Sequence, residues 1–264
     1  MPSDSADGAP VLTLPPVREV PVGRPLRWLA LGWRDFTRAF GPSVLHGVLA
    51  AVGGYIILAV AWGHFYLISG ALSGFLLVAP ILATGLYELS RRMARGESPS
   101  FDAVLSAWSA SLRSLVWFGL MLTVVGTFWV LVSAVLIALF VKASITDFDS
   151  VIRYVVLSQD SHLFEIWVML GGVFAALVFA AAVVSPPLLL DRDVDMLSAI
   201  ATSVRAVSAN PLPMALWAMI IMVATLLGMA TALLGLIVVL PVIGHASWHA
   251  YADVVDAADL PPRH

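Results

Sequence analysis

Residues 212–251 read LPMALWAMIIMVATLLGMATALLGLIVVLPVIGHASWHAY, a stretch with no Asp, Glu, Lys or Arg. About twenty apolar residues cross the hydrocarbon core of a bilayer, so the run is too long for one crossing. We divide it near Leu227–Ala232 into two helices joined by a tight hairpin; one very long tilted helix is the alternative. Four further stretches, Pro42–Ala61, Leu67–Tyr87, Leu115–Val141 and Phe164–Leu190, are nearly free of ionisable side chains. An ionised group at a helix centre costs about 2.5–3.5 kcal/mol on insertion, which accounts for their scarcity. Six spans follow. The chain is 60% hydrophobic and 12% charged, with a mean hydropathy of +0.95, which excludes an ordinary soluble domain.

Charge orients the spans. Of 14 Lys and Arg residues, Arg18, Arg24, Arg27, Arg34 and Arg38 precede span one. Arg91, Arg92, Arg95 and Arg113 separate spans two and three, Arg192 and Arg205 separate spans four and five, and Arg263 follows span six. Only Lys142 and Arg153 fall on the other side. The positive-inside rule places both termini in the cytoplasm. The first 23 residues, rich in Pro, Ser, Gly and Asp, read as a disordered tail without the pattern of a signal peptide. A single membrane domain over 24–256 and a short tail over 257–264 complete the chain. Topology accounts for the arginines, so no nucleic-acid surface is expected. The absence of cysteine rules out disulfides, thiolate metal sites and Cys nucleophiles.

The connecting segments repeat. Leu26, Leu29, Trp33, Phe36 and Phe40 recur at helical spacing before span one. Phe101, Val104, Leu105, Trp108 and Leu112 do so before span three, and Leu197, Ile200, Val204 and Val207 before span five. Each pattern reads as an amphipathic helix in the membrane interface. Spans two, four and six each carry a proline, Pro80, Pro186 and Pro241, near the cytoplasmic end. A proline inside a helix frees the carbonyl four residues back, here Leu76, Ala182 and Ile237. The expected fold is therefore all-α and polytopic: three parallel repeats of an interfacial helix plus a hairpin, over about 24–95, 98–195 and 196–256. Small-residue pairs, Gly70 with Gly74, Ala50 with Gly54, and Gly171 with Ala175, suit close helix packing or oligomerisation.

Few residues could carry chemistry. His245, His249 and Asp253 share one helix face at i, i+4 and i+8. A metal site would need further donors, with Glu88 and His46 the candidates, and no second His pair or Glu-x-x-His motif accompanies them. The competing expectation is structural. Trp248 and Tyr251 would anchor the helix end at the headgroup level, while the histidines face the bundle and hydrogen-bond to freed carbonyls or Glu88. No nucleophile elbow, phosphate loop or dinucleotide fingerprint is present. Neither catalytic nor cofactor residues are assigned.

Three stretches, LALGWRDFTRAFGPSVLHGVL (29–49), APILATGLYELSRRMARGESPS (79–100) and LPVIGHASWHAYADVVD (240–256), resemble the bacterial integral membrane proteins of domain of unknown function 2189, over roughly Val17–Asp256. The resemblance implies a Gram-negative inner-membrane protein with no assigned activity or cofactor. The functional expectation is a non-enzymatic multipass protein serving membrane-complex assembly, packing or homeostasis. Its partners would be the bilayer and a second copy or another membrane protein. The alternatives are transport of an apolar or amphipathic solute between spans two, four and six, and a metal-dependent membrane enzyme.

Overall fold

A computed structural model describes residues 14–63, 82–143, 145, 147–158 and 162–263. The described chain is helical: α1 (Arg24–Arg38), α2 (Phe40–Gly63), α3 (82–94), α4 (Phe101–Phe140), α5 (Phe148–Val151, running into a π turn over Ile152–Val156), α6 (Leu163–Ala182), α7 (Ser185–Asp191), α8 (Met196–Ala209), α9 (Pro211–Ala230) and α10 (Leu236–Val254). Among the described residues four segments are long and apolar enough to cross a membrane: Phe40–Val60, Leu112–Phe140, Leu163–Asp191 and Pro211–Ala230. They correspond to expected spans one, three, four and five. Most of expected span two, with Pro80, Leu76, Gly70 and Gly74, lies outside the described residues. Expected span six is α10, a 19-residue helix whose second half carries His245, Ser247, His249 and Asp253; this polarity keeps it out of the apolar set.

The break in the long apolar run falls at 231–235, slightly later than expected. Ala232 and Leu233 take the left-handed conformation there, with φ of 53° and 66°. The Thr231 hydroxyl donates to the Gly228 carbonyl at 2.8 Å and accepts from the Gly235 N–H at 2.7 Å. The Tyr55 hydroxyl closes the turn from α2 by donating to the Ala232 carbonyl.

Two expected elements differ. The interfacial helix before span three is continuous with that span, in a 40-residue helix about 60 Å long at 1.5 Å per residue. No proline or glycine separates Phe101 from Leu115, whereas Gly41–Pro42 and Pro211 follow the breaks at Ala39 and Asn210. The residue before a proline is driven out of the helical region, and Asn210 has φ −129° and ψ 53°. Pro186 likewise ends a helix rather than kinking one. α6 stops at Ala182, and Pro186 and Pro187 open the separate helix α7, where their missing N–H groups cost nothing.

Burial is inverted relative to a soluble protein. Val124, Leu139, Met169 and Leu177 on α4 and α6 are 66–74% exposed, as lipid-facing side chains are. In α8 the buried residues are the small Ser198, Ala199, Thr202, Ser203 and Ala206, while Leu197 and Val204 point outward. Small residues let helices approach closely where lipid supplies no hydrophobic drive. The dense core lies instead where α1, α7, α8, α9 and α10 meet, around Trp28, Trp217, Leu188, Leu189, Met214, Ala246 and Tyr251. Trp28 and Trp217 meet edge to face there at 5.9 Å.

The short helices interlock in order. The start of α4 packs on α3 through Val104 and Leu89, α8 packs on α7, and α1 packs along α10. Beside the last of these pairs, residues 16–18 meet residues 254–256. Val17 bridges antiparallel to Val255, Arg18 pairs with Asp256 at 2.8 Å, and Asn210 accepts from Val20 N–H at 2.8 Å while donating to the Arg18 carbonyl at 3.0 Å. Residues 14–23, expected as the end of a disordered tail, are thus held by backbone bonds that the tail composition does not announce. The C-terminal residues are held too, through an Arg192–Pro262 bridge and Asp193 N–H donating to the Pro261 carbonyl at 2.9 Å.

Candidate functional site

The strongest concentration of polar groups lies between α1, α2, α3 and α10. α1 turns Trp28, Gly32, Asp35 and Phe36 inward, so Asp35 lies on its buried face, 1% exposed. Gly32 makes this possible, because a Cβ there would stand 2.5 Å from the Val242 carbonyl oxygen. α10 supplies His245 and His249, α2 supplies Ser43 and α3 supplies Ser90.

Donor chemistry orders the cluster. A carboxylate only accepts hydrogen bonds. Ser90 Oγ lies 2.9 Å from Asp35 Oδ2 and 2.8 Å from His245 Nδ1. Its one hydrogen therefore goes to Asp35, and His245 donates from Nδ1. A neutral His245 ring then accepts at Nε2 from the Ser43 hydroxyl, 2.9 Å away. His249 donates from Nε2 to the same Asp35 oxygen at 2.7 Å. Every hydrogen points along the chain toward Asp35, an arrangement in which successive bonds polarise one another. Burial pushes the Asp35 carboxyl up, but the His249 and Ser90 hydrogen bonds and the neighbouring histidines outweigh it and hold it below the usual carboxylate range. The order hydroxyl–imidazole–hydroxyl–carboxylate has the donor sequence of a nucleophile relay. Ser43, Ser90 and His245 are nevertheless wholly enclosed, so the Ser43 hydroxyl faces packed protein, not a substrate space.

The other singled-out residues go elsewhere. Glu88, expected as a partner of the histidines, is buried and bonded to Arg91 Nε at 2.7 Å; the nearer guanidinium is the stronger partner. His46 donates from Nδ1 to the Pro42 carbonyl at 2.7 Å, and its ring stands edge-on to Trp108. Among the described residues no group of three or more His, Asp or Glu side chains is placed to hold one ion. Asp253 takes a bidentate bond from Arg24 at 2.5 and 2.7 Å and a third from Trp28 Nε1 at 2.8 Å. Trp248 and Tyr251, expected at the headgroup level, are buried in the core. Tyr251 donates to Asp191 at 2.9 Å, and Arg192, Arg95 and Arg91 gather around that carboxylate at 3.0, 3.6 and 3.7 Å.

Pro241 does lie inside α10, and its freed carbonyl, Ile237, meets Gly47 of α2. A Cβ on Gly47 would fall 2.1 Å from that oxygen, so a Cα hydrogen faces it and supplies a weak bond. A cavity of about 220 Å³ lies beside this contact, lined by His46, Ala50, Leu86, Tyr87, Pro241 and Ser247 among others. Pro186 is packed in the core. Asp35, Ser43, Ser90 and Asn210 escaped the reading of the sequence. For Asp35 the available signal was its register with Gly32 and Trp28, one and two turns back.

Residues 67–191 match the model of a family described as a predicted integral membrane protein, DUF2189. The resemblance to that family holds over this stretch, which is narrower than the expected Val17–Asp256. No curated protein and no solved structure matches the chain. The family match and the four apolar helices describe an integral membrane protein of unknown function.

Proposed function

We propose that the chain is a non-enzymatic scaffold of the bacterial inner membrane: six spans in three parallel units, both termini cytoplasmic, joined by one closed polar junction. The observation that carries this reading is how the reactive side chains are used. Asp35, Ser43, Ser90, His245 and His249 bind one another across four helices, which suits a clamp rather than turnover. The repeat draws support from the interlocking, since each interfacial segment packs on the final helix of the preceding unit and α1 packs on that of the last. The even number of spans draws support from the pairing of residues 16–18 with 254–256, which precede the first proposed span and follow the last. Such a scaffold acts through assembly, with a second copy or another membrane protein.

Purification in native-lipid particles, followed by mass and composition measurement, tests this. A defined homo-oligomer or a stoichiometric membrane-protein partner is expected. A monomer without a partner that turns over or transports a solute contradicts it.

The cavity at Pro241 favours a second reading, passage or storage of an apolar solute between α2, α3 and α10. Filling it by Ala50→Phe should abolish solute binding if that reading holds, and leave assembly unchanged if the scaffold reading holds.

A further inference from the structure

The outward face of α1, continued by Phe40 at the start of α2, has two zones. Leu26, Trp33 and Phe40 recur every seven residues and are 60, 53 and 59% exposed, and Ala30 and Thr37 complete the stripe. Directly beside it run Arg27, Arg34 and Arg38, also exposed. At i, i+7 and i+11 they form one row about 16 Å long at 1.5 Å per residue. Both zones point away from the protein, whose side of the helix is Trp28, Gly32, Asp35 and Phe36.

Most of the other arginines have carboxylate partners; only Arg113 and Arg205 share with Arg27 and Arg38 of this row the lack of one among the described residues. Arg18, Arg24, Arg91, Arg92, Arg95, Arg153, Arg192 and Arg263 all pair with carboxylates. Among the described residues Arg27 and Arg38 have no carboxylate within ion-pair distance. The half-exposed Arg34 reaches only Asp35, at 3.6 Å. The position of the helix supplies the second argument. α2, which is long and apolar enough to cross the membrane, begins at Phe40, one residue beyond the break at Ala39. The apolar stripe therefore lies at the level where the chain enters the bilayer. An exposed Trp and Phe beside a row of exposed guanidinium groups, two of them without a carboxylate partner and the third only loosely paired, is complementary to acyl chains beneath phosphate. An acidic protein surface would match the arginines and leave the apolar stripe bare.

We infer that α1 is a docking surface for anionic phospholipid, with Arg27, Arg34 and Arg38 binding headgroup phosphates while Leu26, Trp33 and Phe40 enter the leaflet. This rests on the membrane placement proposed above and not on the scaffold role, because lipid binding is read whether or not the chain assembles with a partner. Guanidinium groups grip phosphate with paired N–H donors, which lysine cannot reproduce.

The test titrates phosphatidylglycerol into the purified full-length protein held in a zwitterionic detergent, with bound lipid counted by native mass spectrometry. Each basic residue at an anionic surface contributes about fivefold in binding. The triple variant Arg27→Gln, Arg34→Gln, Arg38→Gln should therefore lose about tenfold or more in affinity. The corresponding triple lysine variant should fall between it and the wild type. A control with the same charge change at already paired or distant cations, Arg92→Gln, Lys142→Gln, Arg153→Gln, should lose clearly less than the α1 triple, and phosphatidylcholine should bind all variants alike. Equal affinity of the glutamine triple and the wild type overturns the inference. So does an equal loss in the control, or an equal dependence on the arginines for phosphatidylcholine.

Discussion

Replacing Asp35 by alanine removes the acceptor on which the junction converges. His249 Nε2–H and the Ser90 hydroxyl both donate to one of its oxygens, and hydrogen bonds to a charged group contribute about 1.5–3 kcal/mol each. Against that stands the recovered cost of burying a carboxylate, several kcal/mol. What decides the balance is the remainder. The Ser90 hydroxyl and His249 Nε2–H are left without their acceptor, at about 1–3 kcal/mol per group, and breaking one member of a buried charged network costs about 3–5 kcal/mol. For a chain of this size each kcal/mol moves the melting temperature by about 2–4 °C, so Asp35→Ala should lower it by about 6–20 °C. Thermal unfolding in detergent, followed by intrinsic fluorescence at a fixed scan rate, reads the shift. Asp35→Asn keeps an acceptor for both donors and should lose less than half as much at neutral pH. The pH dependence has a definite sign. The folded carboxyl titrates below its unfolded value, so its contribution is complete above the ordinary carboxylate range and is lost as pH falls through the lower folded value. The wild type should converge on Asp35→Asn in that acid window. A shift below about 2 °C for Asp35→Ala, or equal acid sensitivity in Asp35→Asn, refutes the assignment of Asp35 as the hub.

Three further substitutions probe other contacts. Gly47→Ala places a methyl against the Ile237 carbonyl at a site with no room; forcing α2 and α10 apart should cost about 1–3 kcal/mol, read as a lower melting temperature, with Gly53→Ala, which meets open space, as the silent control. Asn210→Ala removes the bonds to Val20 and Arg18 and should release residues 14–22, visible as new cleavage there in limited proteolysis while the helical domain stays intact. Ala232→Gly relieves a non-glycine residue at φ 53° and should raise stability by up to about 1 kcal/mol, measured in the same thermal assay.

The apolar runs made the membrane helices legible, because the penalty on buried charge acts on each residue separately and leaves its trace in composition. The breaks were legible where proline marked them, at Asn210 and before Pro42. α4 was misjudged at its start because a change in polarity near Arg113 does not interrupt a helix when no residue there disfavours one. The site divides in the same way. His245 and His249 stood out as ionisable residues on an apolar helix, and they do face inward. Their partners were not legible, since Ser43, Ser90 and Asp35 come from three other helices and each is unremarkable alone. Trp248 and Tyr251 show the converse: aromatics near a helix end match an interfacial belt in sequence, and only packing against α7 reveals them as core. The outward Leu26, Trp33 and Phe40 were read as one stripe with Leu29 and Phe36, although helical position puts Phe36 on the protein side.

The proposed closure of three units rests on the meeting of residues 16–18 with residues 254–256. Val17 and Val255 form an antiparallel pair, for which Cα atoms lie about 4.5–5.5 Å apart, within the reach of a disulfide. The chain contains no cysteine, so Val17→Cys with Val255→Cys creates one pair alone. Mild oxidation in native membranes, followed by peptide mapping of the monomeric band, should recover a peptide linking positions 17 and 255. Persistent free thiols, or links found only in a dimeric band, would contradict the closure.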